Sequence, residues 1–506
     1  MKRWIIWLHR YLGIPMSVVF VIWFVSGIFM IYAGDMPSLS ESERLSRQPA
    51  IDFDALTLAP QEAVVRAGIE ASITALTLEP LLGRPAYRIG RFFGTAATVF
   101  GDTGEIFDGV DADDAAAAVA AWFSVAPEAV RFVETVNQVD QWTMTVAGEL
   151  PLERFDVDDG RGTRAYFSLQ TGQVELLTTR QDRTLAWIGT IPHWFYFTPL
   201  RTNQPLWYWT VVWVSVAGCV LAALGIVLAF TQFRRSRPFR LSASIRYRGW
   251  MRWHYYTGAV FGLFALTWVF SGLMSMEPFD WTNAEGMSLP GNDLEGGPLE
   301  LGRYRLEPSA ILAVAGEGAR RVELKRIQTE PFFAVAAPGR DGAVERTLIH
   351  AATLAPRVNH FAAESILSEL EATVTEAAIA EHAVLESYDA YYYARADELP
   401  LPVLRVKFDD PAATWAYFDL NTSAHMGSNH RLSRLERWLF NGLHSLDFSF
   451  WYGRRPLWDV VLIVLSLGAL ATSSIGMYLG LRRLSGRADK KPGPLAAYGG
   501  PRQGNQ

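Results

Sequence analysis

Four histidines stand beside four long apolar segments, one histidine for each segment. His9 in "WLHRYLGIPM" and His254 in "RWHYYTGAVF" each open one of these segments. His193 in "WIGTIPHWFYF" and His444 in "WLFNGLHSLDF" precede the other two. Neutral imidazole is a common metal ligand, and an imidazole can bind an axial position of a haem iron. Two such pairs of histidines would hold two haems.

Other roles are open for each histidine taken alone. A histidine at a membrane interface can extend toward the lipid headgroups or hydrogen-bond a neighbouring helix. A zinc site would want its ligands in one closer cluster. A proton relay normally recruits acidic residues inside the membrane, whereas only Asp459 borders an apolar segment here.

The elements that must position these histidines are membrane helices. A bilayer core of roughly 30 Å takes about 20 helical residues to cross. Four charge-free segments reach that length: Tyr11–Ala33, Leu206–Phe230, Tyr255–Met276 and Val460–Leu481. The apolar core of the first is too long for a signal peptide and no A-x-A-like site follows, so we interpret it as an uncleaved anchor.

Composition excludes several classes of site. The net charge of −6 gives no reason to expect nucleic-acid binding. The single cysteine, Cys219, cannot form an intramolecular disulfide or a Cys-based zinc or iron–sulfur site.

Basic residues predict the orientation of the spans. The stretch 233–253 carries seven Arg and no acidic residue, which places this loop and both termini in the cytoplasm by the positive-inside rule. The two large segments then lie on the far side, the periplasm of a bacterial inner-membrane protein. The predicted division is: helix 1 in 1–33, insert 1 in 34–205, helix 2 in 206–232, basic loop in 233–254, helix 3 in 255–276, insert 2 in 277–456, helix 4 in 457–482 and tail in 483–506.

The chain contains an internal repeat, which determines the fold. Aligning His9 with His254 also aligns Gly13 with Gly258 and the pair Ser26-Gly27 with Ser271-Gly272. Twelve residues after His193 and after His444 comes Pro-Leu-Trp. We predict a membrane protein with four transmembrane α-helices in two repeats related by a pseudo-two-fold axis. Each repeat carries a large α+β insert.

The repeat supports haem binding. A two-fold axis brings equivalent residues together, which pairs His9 with His254 and His193 with His444. Gly27 lies eighteen residues after His9, five helical turns and about 27 Å along the same face. Four glycines would leave room for two macrocycles, one near each membrane surface: Gly13, Gly27, Gly258 and Gly272. Close helix packing is the alternative use of such glycines.

Haem propionates need cationic or hydrogen-bonding partners. Candidates are Arg10 and Arg252 on the inner side, with others on the outer side: Arg201, Arg434, Arg454 and Arg455. Interfacial anchoring is the alternative role for each. Five further histidines occur only in the second insert and are expected to be scattered surface residues, with iron-chelate binding as the alternative: His350, His360, His382, His425 and His430.

Several motifs resemble those of the PepSY-associated transmembrane proteins. They are "WLHRYLGI", "VSGIFMIY", the strand-"DTGE" and "LQTGQV" elements, "LERWLFNGLHSLDFSF" and "RRPLWDVV". The resemblance extends over nearly the whole chain, although the first repeat has "PHWFYF" where the second has "LHSLDF". It implies PepSY-like periplasmic inserts and four axial haem ligands: His9, His193, His254 and His444. The group includes ferric-siderophore reductases that resemble di-haem b cytochromes.

The expected function is therefore transmembrane electron transfer to a ferric siderophore or another ferric chelate in the periplasm. No G-x-G-x-x-G followed by a helix is present, so the electron donor would be quinol or a separate cytoplasmic reductant. The alternative is a non-enzymatic membrane sensor whose inserts bind a peptide, a protease or a metal chelate. A permease is a weaker alternative because charge-free spans offer no polar pathway.

Overall fold

The structure is a computed structural model. It describes residues 2–91, 94–234, 244–245, 247–283, 287, 289, 294–305, 307–316, 318–339, 343–357, 359–394 and 399–485. Part of the predicted basic loop (235–243 and 246) and most of the predicted tail lie outside the described residues.

Four helices in the described part of the chain are long and apolar enough to cross a membrane. They are α1 (Lys2–Ala33), α8 (Gln204–Gln232), α9 (Trp250–Met274) and α15 (Leu457–Leu484). Each apolar segment predicted from the sequence lies almost wholly within one of them. Helix α9 begins before the predicted span, so His254 lies within the helix and not in the preceding loop.

The four long helices form a bundle in which α1 and α9 each pack against both α8 and α15. Phe20, Phe24 and Trp268 are buried at its centre. A Cβ atom at Gly218 would lie 3.0 Å from Phe20 Cε1 and 2.8 Å from Val269 Cγ1. Glycine at this position therefore allows the close helix contact, as small residues commonly do in membranes.

The inserts contain strands and short helices, as predicted. The strands among the described residues are β1 (Ala75–Leu81), β2 (Arg84–Arg91), β3 (Gly94–Phe100), β4 (Val130–Val136), β5 (Leu152–Val157), β6 (Thr163–Ser168), β7 (Gln173–Thr178), β8 (Arg321–Ile327), β9 (Glu330–Pro338), β10 (Val344–His350), β11 (Ala355–Pro356), β12 (Ile379–Leu385), β13 (Val403–Phe408), β14 (Trp415–Asp419) and β15 (His425–Asn429). The shorter α-helices are α2 (Glu41–Arg47), α3 (Pro60–Arg66), α4 (Ala112–Phe123), α5 (Arg180–Ile188), α6 (Thr190–Trp194), α7 (Thr198–Arg201), α10 (Pro308–Ala315), α11 (Ala363–Thr373), α12 (Arg431–Arg437), α13 (Leu443–Ser445) and α14 (Ser449–Tyr452). A π-helix covers Trp438–Gly442, and 3-10 turns cover Pro127–Ala129, Thr143–Glu149, Pro278–Asp280 and Leu301–Arg303.

The two inserts share one sheet and are not separate domains. Its strand order is β11-β10-β9-β8-β1-β2-β3, so strands of the second insert continue those of the first. The junction is the antiparallel pair β1–β8, in which Leu76 lies opposite Leu324. Both leucines are buried in one hydrophobic cluster. The common sheet therefore ties the two halves of the chain together outside the bundle.

Each insert also has a four-stranded antiparallel sheet of its own, β4-β5-β6-β7 in the first and β12-β13-β14-β15 in the second. Helix α4 packs on the first of these sheets through Ala115 and Val119. Helix α11 packs on the second through Ile366 and Leu370. Helix α11 ends at Thr373, and the chain enters β12 six residues later.

Candidate functional site

The structure brings the four predicted histidines together in two pairs. The ring centroids of His9 and His254 lie 6.4 Å apart, with an angle of 42° between the ring planes. The centroids of His193 and His444 lie 6.0 Å apart, with an angle of 78°. His193 packs beside Gly27 of α1, eighteen residues and about 27 Å along the helix from His9. The pairs therefore lie near opposite ends of the bundle.

The spacing within each pair suits one shared metal ion. A metal lies about 2 Å from an imidazole nitrogen, which is itself roughly 1 Å from the ring centre, so two imidazoles sharing one ion have centroids about 6 Å apart. In the described residues, no group of three or more His, Cys, Asp or Glu side chains is arranged to hold a metal ion. Two nitrogen donors per site fit a haem iron, whose four equatorial ligands come from the macrocycle, better than a zinc ion.

The first histidine pair bonds to the backbone of the neighbouring helices. His9 Nδ1 lies 3.2 Å from the carbonyl oxygen of Leu221 in α8. His254 Nδ1 lies 3.1 Å from the carbonyl oxygen of Thr472 in α15. A carbonyl oxygen only accepts, so each Nδ1 carries the proton and donates it. The lone pair is then on Nε2, the tautomer that a metal-bound histidine with this hydrogen bond requires.

The second histidine pair bonds to serine hydroxyls. His193 Nδ1 lies 3.0 Å from Ser26 Oγ, and His444 Nδ1 lies 2.9 Å from Ser271 Oγ. Both hydroxyls donate to a carbonyl oxygen of their own helix. Ser26 donates to Ile22 at 2.7 Å, and Ser271 donates to Trp268 at 2.9 Å. Their lone pairs therefore accept from Nδ1, which again leaves Nε2 as the lone-pair nitrogen.

A glycine lies against each histidine ring. A Cβ atom at Gly27 would lie 3.4 Å from Cε1 of His193, and one at Gly272 would lie 3.7 Å from Cε1 of His444. Sequence analysis expected these glycines to make room for a macrocycle, and the structure adds that they seat the imidazoles themselves.

The first pair has equivalent glycines that sequence analysis missed. A Cβ atom at Gly225 would lie 3.0 Å from Cε1 of His9, and one at Gly476 would lie 3.2 Å from Cε1 of His254. The two glycines are 251 residues apart, as are His193 and His444. Aligning the predicted helices 2 and 4 at the spacing of His193 and His444 would have identified these two glycines.

Each pair lines a cavity of a size suited to a cofactor. The first cavity has a volume of about 500 Å³ and is lined by both histidines, Arg10, Gly13 and Gly258. Binding pockets for small molecules span roughly 300–1,000 Å³. The predicted residues around the first pair, apart from Arg252, therefore surround one space.

The second cavity has a volume of about 770 Å³. It is lined by His193, His444, Gly27 and Gly272, together with Arg455. Arg455 lies 3.4 Å from the buried carboxylate of Asp459, which fixes a cation at the edge of the cavity.

Four of the six predicted arginines are not among the residues that line the cavities: Arg201, Arg252, Arg434 and Arg454. Arg252 donates from Nε to the carbonyl oxygen of Tyr247 at 2.8 Å and is not among the residues around the first cavity. Arg434 donates from Nη1 to the carbonyl oxygens of Ala413 and Asn429, at 2.9 and 2.7 Å. Burial lowers the pKa of Arg434. Its guanidinium braces the second insert, so we remove Arg434 from the candidate site.

Other arginines take their place at the first cavity. Arg482 and Arg483, at the end of α15, line it together with Arg10. The sequence analysis used the basic C-terminal end only to orient the chain, whereas the structure places these two cationic side chains beside the first cavity.

Two tryptophans hold the turns that carry the second pair. The indole N–H of Trp207 donates to the carbonyl oxygen of Trp194 at 2.8 Å. The indole N–H of Trp458 donates to the carbonyl oxygen of Ser445 at 2.9 Å. In each case the acceptor directly follows the histidine in sequence. These are the tryptophans of the two Pro-Leu-Trp motifs. The sequence therefore showed the repeated motif but did not show that its tryptophan holds the histidine turn.

The comparison with protein families identifies the family of the chain. The profile described as PepSY-associated TM region matches residues 6–483, and the chain therefore belongs to that family. The match includes all four histidines, both inserts and all four long helices. No curated relative matches the sequence.

Proposed function

We propose that this member of the PepSY-associated TM family is a di-haem b electron-transfer protein that reduces a ferric chelate outside the cytoplasm. The observation that carries the proposal is the pair of histidine sites. In each, two imidazoles stand about 6 Å apart beside a cavity, and each Nδ1 is held by an acceptor.

The chain's own residues would do the binding. The four histidines would hold the haem iron through Nε2, the nitrogen left with a lone pair by the hydrogen bond at Nδ1. Arg10 at the first cavity and Arg455 at the second would meet the propionates. Bound haem supplies a one-electron carrier near each face of the membrane. The apolar helices between the two cavities exclude water from the path.

The direction of transfer follows from the predicted orientation. The first pair lies at the end of the bundle next to the basic loop and the second pair at the end next to the inserts. With the basic loop in the cytoplasm, electrons would enter at the first pair from quinol or from a separate reductant. One electron converts a chelated ferric ion to the ferrous form, which hard oxygen ligands hold less firmly. The inserts would then face the substrate in the periplasm, and the chain would lie in a bacterial inner membrane.

Equivalent contacts support the pseudo-two-fold arrangement of the proposal. Pro60 and Pro308 each open the helix before the shared sheet and are 248 residues apart, as are Leu76 and Leu324. An antiparallel pair in which equivalent residues face each other is what an axis through the middle of the sheet would produce.

A spectrum of the detergent-purified protein tests the proposal. We expect two low-spin b-type haems per polypeptide in the reduced-minus-oxidised difference, and the loss of one in His9→Ala or His254→Ala. His193→Ala or His444→Ala should remove the other. Absence of haem from protein made in cells able to supply it would overturn the proposal and leave a sensor as the better account.

A further inference from the structure

The turns that carry His193 and His444 have the same unusual backbone. Two residues after each histidine, Phe195 and Leu446 adopt left-handed φ angles of +53° and +51°. A residue with a side chain is held in this region only when its surroundings require it. The tryptophan indoles described above provide one restraint on each turn.

A second restraint acts on the carbonyl three residues after each histidine. The carbonyl oxygen of Tyr196 accepts a hydrogen bond from Nε2 of Gln141 at 2.6 Å. The carbonyl oxygen of Asp447 accepts one from Nη1 of Arg437 at 2.8 Å. The two acceptors are 251 residues apart, as the two histidines are, whereas the two donors do not occupy equivalent positions. Two side chains from unrelated positions thus donate to equivalent carbonyl oxygens in the two turns.

Arg437 joins the turn of His444 to the second insert. Its Nε donates to the carbonyl oxygen of Ala390 at 2.8 Å, and its Nη2 lies 3.4 Å from Asp447 Oδ1. The other carboxylate oxygen of Asp447 accepts from the hydroxyl of Tyr393 at 2.8 Å. Arg437 and Asp447 are 8% and 2% exposed, so their charges meet each other and the backbone rather than water.

Gln141 joins the turn of His193 to the first insert. Its Oε1 accepts from the backbone N–H and the hydroxyl of Thr198, at 3.2 and 2.9 Å. It follows Asp140, whose carboxylate accepts from the backbone N–H groups of the next turn. Asp389 makes the same kind of turn just before Ala390. In each insert, a loop built on an aspartate therefore reaches the turn that carries the histidine.

We propose that Gln141 and the Arg437–Asp447 pair are positioning residues that orient His193 and His444 from the inserts. The inference rests on the proposed function and adds to it. In this proposal the inserts determine the geometry of the second histidine pair. The neutral amide of Gln141 holds the turn of His193, and the charged guanidinium of Arg437 holds the turn of His444. A guanidinium presents its donors on three nitrogens in a rigid planar fork that reaches these separated acceptors, whereas an ammonium carries all of its donors on one nitrogen.

A purely structural role for Arg437 would give a different result, and the first histidine pair is the internal control. If Arg437 only stabilises the fold, its removal affects both sites alike. If it positions His444, its removal affects the second site and spares the first.

The experiment compares Arg437→Met with Arg434→Met. Arg434 lies one turn earlier on the same helix and also donates to two carbonyl groups, but to neither histidine turn. For each full-length variant we would measure haem per polypeptide, the low-spin spectrum of each haem and the thermal unfolding midpoint. Arg437→Met should lose the low-spin signal of one haem of two, the same one that His444→Ala removes. Arg434→Met should keep both signals even where its unfolding midpoint falls.

Further variants keep the inference falsifiable where Arg437→Met fails to fold. Gln141→Leu removes one neutral donor and should perturb the signal that depends on His193. Arg437→Lys should retain part of the signal. Two unchanged low-spin signals in Arg437→Met and Gln141→Leu, or equal loss of both haems, would overturn the inference. A wild-type protein without haem would instead overturn the proposed function.

Discussion

The glycines beside the four histidine rings allow a graded test of the sites. Alanine at Gly225, Gly476, Gly27 and Gly272 would place a methyl group 3.0, 3.2, 3.4 and 3.7 Å from the nearest ring carbon, in that order. In Gly225→Ala, the ring of His9 would have to withdraw by about 0.4 Å to restore a 3.4 Å contact. A functional ligand has to be held within roughly 0.5 Å of its productive position. Gly272→Ala asks for no such movement.

The expected magnitude follows from overpacking. Inserting a methyl group into a well-packed site costs about 1–3 kcal/mol, which is roughly a 5- to 150-fold change in an affinity. We expect Gly225→Ala to weaken haem retention at the first site by an amount in this range, Gly476→Ala by less and Gly272→Ala hardly at all. Alanine favours a helix over glycine by about 1 kcal/mol at all four positions, so helix propensity cancels in the comparison.

The assay is the transfer of haem from the purified variant to an excess of apomyoglobin, followed by its absorbance. Each single variant keeps one unaltered site, which serves as the reference rate in the same molecule. A Gly272→Ala variant that loses haem as readily as Gly225→Ala would refute the reasoning. That result would mean that the glycines make room for the macrocycle and not for the imidazoles.

Three further predictions follow from contacts outside this series. Ser271→Ala removes one acceptor of His444 Nδ1, and loss of such a partner costs about 10- to 100-fold in metal affinity. We expect the lower end in haem-transfer measurements, because the carbonyl of Trp268 also lies 3.2 Å from this nitrogen, and an unchanged rate would contradict the role of the Ser271 hydroxyl in holding His444. Leu76→Ala should cost about 2–5 kcal/mol and raise hydrogen exchange in β2 and in β9, whereas exchange confined to the first insert would contradict the role of the shared sheet. In a Cys219→Ser background, a membrane-impermeant maleimide applied to spheroplasts should label Gly148→Cys and not Ser485→Cys, and the reverse pattern would contradict the predicted orientation.

The sequence predicts those parts of the structure that depend on local signals. Hydropathy located all four long helices, because crossing a bilayer requires an unbroken apolar run within a single segment. The boundaries were less accurate. The residues from Trp250 to His254 include the polar Arg252 and His254, yet they form the start of α9, since a helix that reaches the interface can extend beyond its apolar part.

The shared sheet could not be predicted in the same way. Strands β1 and β8 are more than two hundred residues apart in sequence, and each has the alternation of any half-buried strand. Nothing in either strand specifies its neighbour, because that pairing depends on how the helices bring the two inserts side by side. The misassigned Arg434 has a similar cause. A basic residue near a membrane surface looks the same in sequence whether it faces a cavity or braces backbone carbonyls.

The sequence repeat shows why the four histidines could be found from the sequence, whereas the side chains that hold their turns could not. In the proposed sites each half of the chain supplies imidazole ligands, so comparing one half of the sequence with the other reveals the matching histidines. Holding a backbone carbonyl requires only an N–H group within reach, which Gln141 supplies in one half and Arg437 in the other. The acceptors correspond because the backbone of the turn is the same in both halves, whereas the donors are free to differ. A search of repeats for matching side chains therefore detects chemistry that depends on one residue type. Side chains that hold a backbone carbonyl are found only by comparing which backbone atoms accept hydrogen bonds in the two halves of the structure.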